Sequence, residues 1–101
     1  MTVNIDVDKS MLAEFCRRHH IRHLSLFGSV LRADFDSDSD IDVLVEFQPD
    51  AGVGLIGLAG LEIELSQLLG RTVDMHTVKG LNPQFRDEVL NQAEVQYDQT
   101  R

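Results

Sequence analysis

Two short stretches have the residue types and spacing that chemistry on phosphates requires. One is the pair Gly28-Ser29. The other, after an interval of ten residues, is Asp40-Ile41-Asp42 inside an apolar run. Side chains on a strand alternate faces, so Asp40 and Asp42 point the same way, about 7 Å apart along the chain. Like charges held side by side are unfavourable unless a cation sits between them. Carboxylates are hard oxygen ligands suited to Mg²⁺. A Gly-Ser turn leading into a short helix presents backbone N–H groups and a hydroxyl to an anion. Together these residues read as a metal–phosphate site. The bland alternative for two aspartates on a strand is a solvated edge, and the apolar neighbours Ile41, Val43, Leu44 and Val45 argue against it.

The whole chain bounds what can position such a site. Its 101 residues suit one domain spanning 1–101, with a single modest core. Acidic residues number 17 against 9 basic, a net charge of −8. A surface of that sign repels DNA and RNA, so no direct nucleic-acid partner is expected. Cys16 is the only cysteine, which excludes an internal disulfide and suits a reducing, cytoplasmic setting. No membrane association is expected: no signal peptide or spanning segment is visible, and the apolar stretch Leu55 to Leu69 is broken by Glu62, Glu64, Ser66 and Gln67.

In chain order, Asp8 can cap a helix from about Lys9 to His19, with Leu12, Phe15 and Cys16 at helical spacing. Leu24 to Phe27 reads as a strand, Ser29 to Arg32 as a helical turn, Ala33 to Ser39 as a polar loop and Asp40 to Phe47 as a second strand. Leu58, Leu61, Leu65 and Leu68 give Leu55–Leu69 a helical period, and Gly70 is a C-terminal stop. Arg71 to Thr77 is a third strand carrying Asp74. Asn82-Pro83 starts a last helix whose apolar side is Phe85, Val89, Leu90 and Ala93. Val95 to Arg101 reads as a tail of uncertain form. The order helix, strand, strand, helix, strand, helix is α/β or α+β.

Gly-Ser, ten residues and Asp-x-Asp resemble the signature of the polymerase-β-type nucleotidyltransferase superfamily. At this length the chain most resembles the minimal nucleotidyltransferases (MNT), over FGSVLRADFDSDSDIDVLVEF, RTVDMHTVKGLNP, the closing helix and Tyr97. The resemblance implies a small mixed sheet with helices on one side. It assigns Gly28 and Ser29 to the nucleotide phosphates and Asp40 and Asp42 to two Mg²⁺ ions. Asp74 becomes the third carboxylate, catalytic with the other two, and Arg32 a further nucleotide-binding residue. The chain departs from the family in having Ala33 where glycine is usual and Val30 where a polar or basic residue is common.

The chemistry fits independently. Nucleotidyl transfer places an attacking oxygen and a leaving pyrophosphate on opposite sides of phosphorus, and two metals about 3.5–4 Å apart stabilise both. A third carboxylate anchors the metal nearer the nucleophile and can take its proton. Glycine at position 28 allows close approach of the phosphates, so valine there is expected to block the nucleotide and spare the fold.

Asp34, Asp36, Asp38, Asp40 and Asp42 alternate as in a calcium loop, but that motif wants glycine sixth and glutamate twelfth, where Ser39 and Val45 stand. They read instead as a solvated rim. His19 and His23 are four apart, yet His23 falls past the helix end, which separates them. His76 shares a strand face with Asp74 and either borders the site or is a surface histidine. Cys16 reads as core, and Arg32 as a phosphate clamp over a surface ion-pair partner.

The resemblance also implies a partner. With no acceptor domain of its own, the site is completed by another protein. Minimal nucleotidyltransferases resemble antitoxins that transfer AMP from ATP to a tyrosine of a HEPN toxin, an RNA-cleaving helical protein. Two alternatives stay open: a non-catalytic antitoxin that masks its toxin by binding, and the catalytic subunit of an antibiotic-type small-molecule nucleotidyltransferase.

Overall fold

A computed structural model of the chain describes residues 7–31, 36 and 39–99. The first helix, α1 (Lys9–Arg18), starts where the Asp8 carboxylate accepts hydrogen bonds from the backbone N–H groups of Ser10 (3.0 Å) and Met11 (3.1 Å). These replace helical partners that a first turn lacks. Arg17 and Arg18 occupy the last turn, where the helix dipole favours cations.

Strand β1 (Ile21–Phe27) follows at once, three residues earlier than the apolar run beginning at Leu24 suggests. The pairing slips between Ile21 and His23. Simple alternation would turn Ile21 and Leu24 to opposite faces; with the irregularity both are buried. Next come β2 (Ile41–Phe47), α2 (Leu55–Leu69), β3 (Val73–Thr77), α3 (Pro83–Gln92) and β4 (Glu94–Asp98). The sheet order is β3-β2-β1-β4. β1 is antiparallel to both neighbours, and β2 is parallel to β3. The fold is therefore α+β with a small mixed sheet.

The stretch from Val95, read from sequence as a tail of uncertain form, is mostly strand: Tyr97 of β4 lies opposite Leu24 of β1. Its five residues, EVQYD, alternate Val95 and Tyr97 with polar neighbours, a strand pattern too short to decide by itself. Pairing with a strand far earlier in the chain makes them one, a tertiary cause that local propensity does not record.

The core lies between one sheet face and α1 and α2. Leu12, Phe15 and Cys16 of α1 meet Leu24, Leu26, Val43 and Val45 of the central strands, and Leu61 and Leu65 of α2 join Val73 and Met75 of β3. The opposite face carries Ser25, Leu44, Asp42, Asp74 and His76. Leu44 and Ser25 are buried there in a small cavity bordered by Leu90, Ala93 and Val95. Among the described residues no helix is long and apolar enough to cross a membrane.

Burial of Cys16 pushes its thiol pKa up to about 12. Thiolate is the reactive form. A thiol reagent added to the native protein at pH 8 is therefore expected to react far more slowly than with the denaturant-unfolded chain, and equal rates would place Cys16 outside the core.

One edge arrangement bears directly on the site. β3 is a terminal strand of the sheet. Its backbone N–H groups at Val73 and Met75 donate to the Ser66 hydroxyl (2.9 Å) and the Glu62 carboxylate (2.8 Å). The Ser66 hydroxyl in turn donates to the Glu62 carbonyl (2.7 Å). Helix α2 thus grips β3 on both sides of Asp74.

Candidate active site

β1 ends at Phe27, and the chain turns at Gly28 into a single 3-10 turn, Gly28–Leu31. Gly28 has φ +76°, the left-handed region that side chains disfavour. A Cβ at this position would stand 2.3 Å from Asp42 Oδ2. The glycine is therefore needed twice, for its backbone angle and for the room it leaves the carboxylate.

Ser29 Oγ donates to the Asp40 carbonyl (3.1 Å), tying the turn to the approach of β2. The same approach is held from the other side. Arg71 Nη2 donates to the carbonyls of Ser39 (3.0 Å) and Asp36, and the Ile41 N–H donates to the Thr72 carbonyl (2.9 Å). Sequence reasoning did not single out Arg71. A lone arginine after a helix-stop glycine carries no signal, because its targets are backbone carbonyls.

The parallel register of β2 and β3 sets Asp42 directly beside Asp74. His76, one alternation further along β3, completes the group. Its Nε2 lies 3.3 Å from Asp74 Oδ2 and 3.6 Å from Asp42 Oδ1. One donor atom from each of the three residues lies within 4.8 Å of the other two. The Phe27 ring meets the imidazole edge-on, with centroids 5.3 Å apart. Hydrogen bonding to Asp42 raises the His76 pKa above the usual imidazole value. Burial opposes that rise, and the charges of Asp74 and Asp42 add to it.

Of the residues the sequence singled out, Asp42 and Asp74 come together, and Gly28 lies against Asp42. Ser29 meets the backbone of Asp40. The Asp40 side chain is exposed, one residue ahead of β2, and is not one of the three clustered donors. Arg32 lies outside the described residues, as do Asp34 and Asp38. His76, which sequence reasoning left between site border and surface, is in the cluster.

The family described as "nucleotidyltransferase domain" matches residues 9–95. The chain belongs to that family. A candidate protein adenylyltransferase of Methanocaldococcus jannaschii is 36% identical over 91 residues, covering 90% of this chain and 96% of the relative. A solved structure described as a candidate minimal nucleotidyltransferase superposes with a TM-score of 0.70 at 38% identity, covering 84% of this chain and 85% of the other. The same fold recurs, at 21% identity and a TM-score of 0.61, in a complex of a tri-AMPylated Shewanella oneidensis HEPN toxin with an MNT antitoxin, covering 89% of this chain and 69% of the other.

Nucleotidyltransferases of this kind imply divalent metal, and the donor set fits one. Two carboxylate oxygens and an imidazole nitrogen converge from neighbouring strands, chemistry suited to a hard or borderline cation. The nucleotidyltransferase thus carries facing carboxylates at the base of a glycine turn, on the sheet face that α1 and α2 leave open.

Proposed function

We propose that this nucleotidyltransferase transfers AMP from ATP to a tyrosine hydroxyl of a HEPN-type toxin in the cytoplasm, silencing it as an antitoxin. The observation that carries the reading is Asp42 set beside Asp74 on adjacent parallel strands, under a glycine that leaves room for the carboxylate. The relative named as a candidate protein adenylyltransferase and the complex with the AMPylated toxin supply the acceptor class.

In this reading Asp42 and Asp74, with Asp40 two residues ahead of Asp42, would hold two divalent metal ions. Bound metal supplies charge stabilisation for the attacking and leaving oxygens and lowers the pKa of the acceptor hydroxyl. Free tyrosine, with a pKa near 10, is a poor nucleophile at neutral pH. Asp74 is the more open carboxylate, its side chain 55% exposed against 27% for Asp42. It is thereby suited to meet an incoming hydroxyl and accept its proton. Gly28 and Ser29 receive the phosphates, and Arg32 adds a charged contact to them.

Incubation with Mg-ATP and its HEPN partner should raise the partner's intact mass by one AMP group or a multiple of it. Asp74→Ala should remove the shift while the two proteins still associate. A complex that silences the toxin with no mass change overturns the enzymatic reading in favour of masking by binding.

A further inference from the structure

Two carboxylates account for the hard-ion character of the site; the third donor is of another kind. His76 follows Asp74 by two residues on β3, so both share the sheet face that carries Asp42. Its Nε2 is directed between the carboxylates, 3.3 Å from Asp74 and 3.6 Å from Asp42. The ring is steadied by Phe27, whose edge-on contact is inclined at 64°. Phe27 is itself the sheet partner of Asp42, so the ring that steadies His76 and the carboxylate it faces are set by one register.

These spacings suit shared coordination. Donors about 2.1 Å from one ion and at right angles to each other are about 3 Å apart. The two imidazole–carboxylate separations, 3.3 and 3.6 Å, lie near that value, and all three donors fall within 4.8 Å of one another. A neutral imidazole also adds a ligand without adding a third negative charge to two facing carboxylates.

We propose that His76 is a direct nitrogen ligand to metal held by Asp42 and Asp74, and that it sets the metal preference of the enzyme. Magnesium favours carboxylate, carbonyl and water oxygens, whereas imidazole suits ions further along the first transition row. Mn²⁺ accepts both donor types, so the mixed set favours Mn²⁺ over Mg²⁺. The inference rests on the nucleotidyltransferase reading of this site and deepens it by naming the ligand set.

The test is pulsed electron paramagnetic resonance of Mn²⁺ bound to the whole chain at pH 8, without nucleotide so that no base nitrogen contributes. Electron spin-echo modulation from a directly coordinated ¹⁴N is expected in the wild-type protein and should vanish in His76→Gln. The variant, with its fold checked by circular dichroism, should bind Mn²⁺ at least about tenfold more weakly. Its affinity for Mg²⁺, read by competition, should change by less than about threefold. Mn²⁺ that binds in an Asp42-dependent manner without nitrogen modulation overturns the ligation by His76 and leaves the metal centre standing. Absence of Mn²⁺ binding, or binding indifferent to Asp42→Asn, overturns both.

Discussion

Asp42→Asn is expected to lower nucleotidyl transfer by at least about a thousandfold while leaving the sheet intact. A metal clamp on the reacting oxygens contributes several kcal/mol, and each factor of ten in rate is about 1.4 kcal/mol. Asparagine keeps the size of the side chain but removes the charge that makes it a strong ligand. The fold should tolerate this. Asp42 is only partly buried, and it sits beside Asp74 on the next strand. Removing one of two neighbouring like charges relieves repulsion in the metal-free protein. Steady-state transfer assays beside thermal melts check both halves. A variant that melts normally and retains full transfer would remove Asp42 from the metal site.

Gly28→Ala should be nearly as damaging to activity and should also cost stability. Holding a non-glycine residue in the left-handed region costs about 1–2 kcal/mol. Its Cβ, 2.3 Å from Asp42 Oδ2, also forces that carboxylate out of place. Valine brings the same conflict with greater bulk. The reading from sequence assigns this glycine to phosphate approach and expects the fold to be spared; the structure adds a second role, because the glycine makes room for the Asp42 carboxylate. Denaturant melts and transfer rates for Gly28→Ala should fall together. Unchanged stability would contradict the strained turn, and unchanged transfer would contradict the displaced carboxylate.

Much of this arrangement is legible in the amino-acid order because its causes are local. Asp8 and Asn82 cap their helices through their own side chains, the latter accepting from the Gln84 N–H at 3.0 Å. Gly70 ends α2 in the left-handed conformation that its lack of a side chain permits. Asp42 and Asp74 stand out because charges inside apolar strands need a reason. The remainder depends on pairing. The early start of β1 needs a register slip, and β4 exists through β1. His76 joins the cluster because parallel strands align Asp42 with Asp74, a register that no single stretch encodes. Arg71 acts on carbonyls, which every residue has, so its targets are invisible in a string of side chains.

The hold of α2 on β3 has a consequence for how proteins can approach one another here. A bare terminal strand is a template on which foreign chains add or fibrils start. At Val73 and Met75 the N–H groups that would donate to such an addition already donate to Ser66 and Glu62. An extended peptide cannot lengthen the sheet beside Asp74 without first stripping those bonds. The open approach to Asp42 and Asp74 is therefore over the sheet face rather than along this edge.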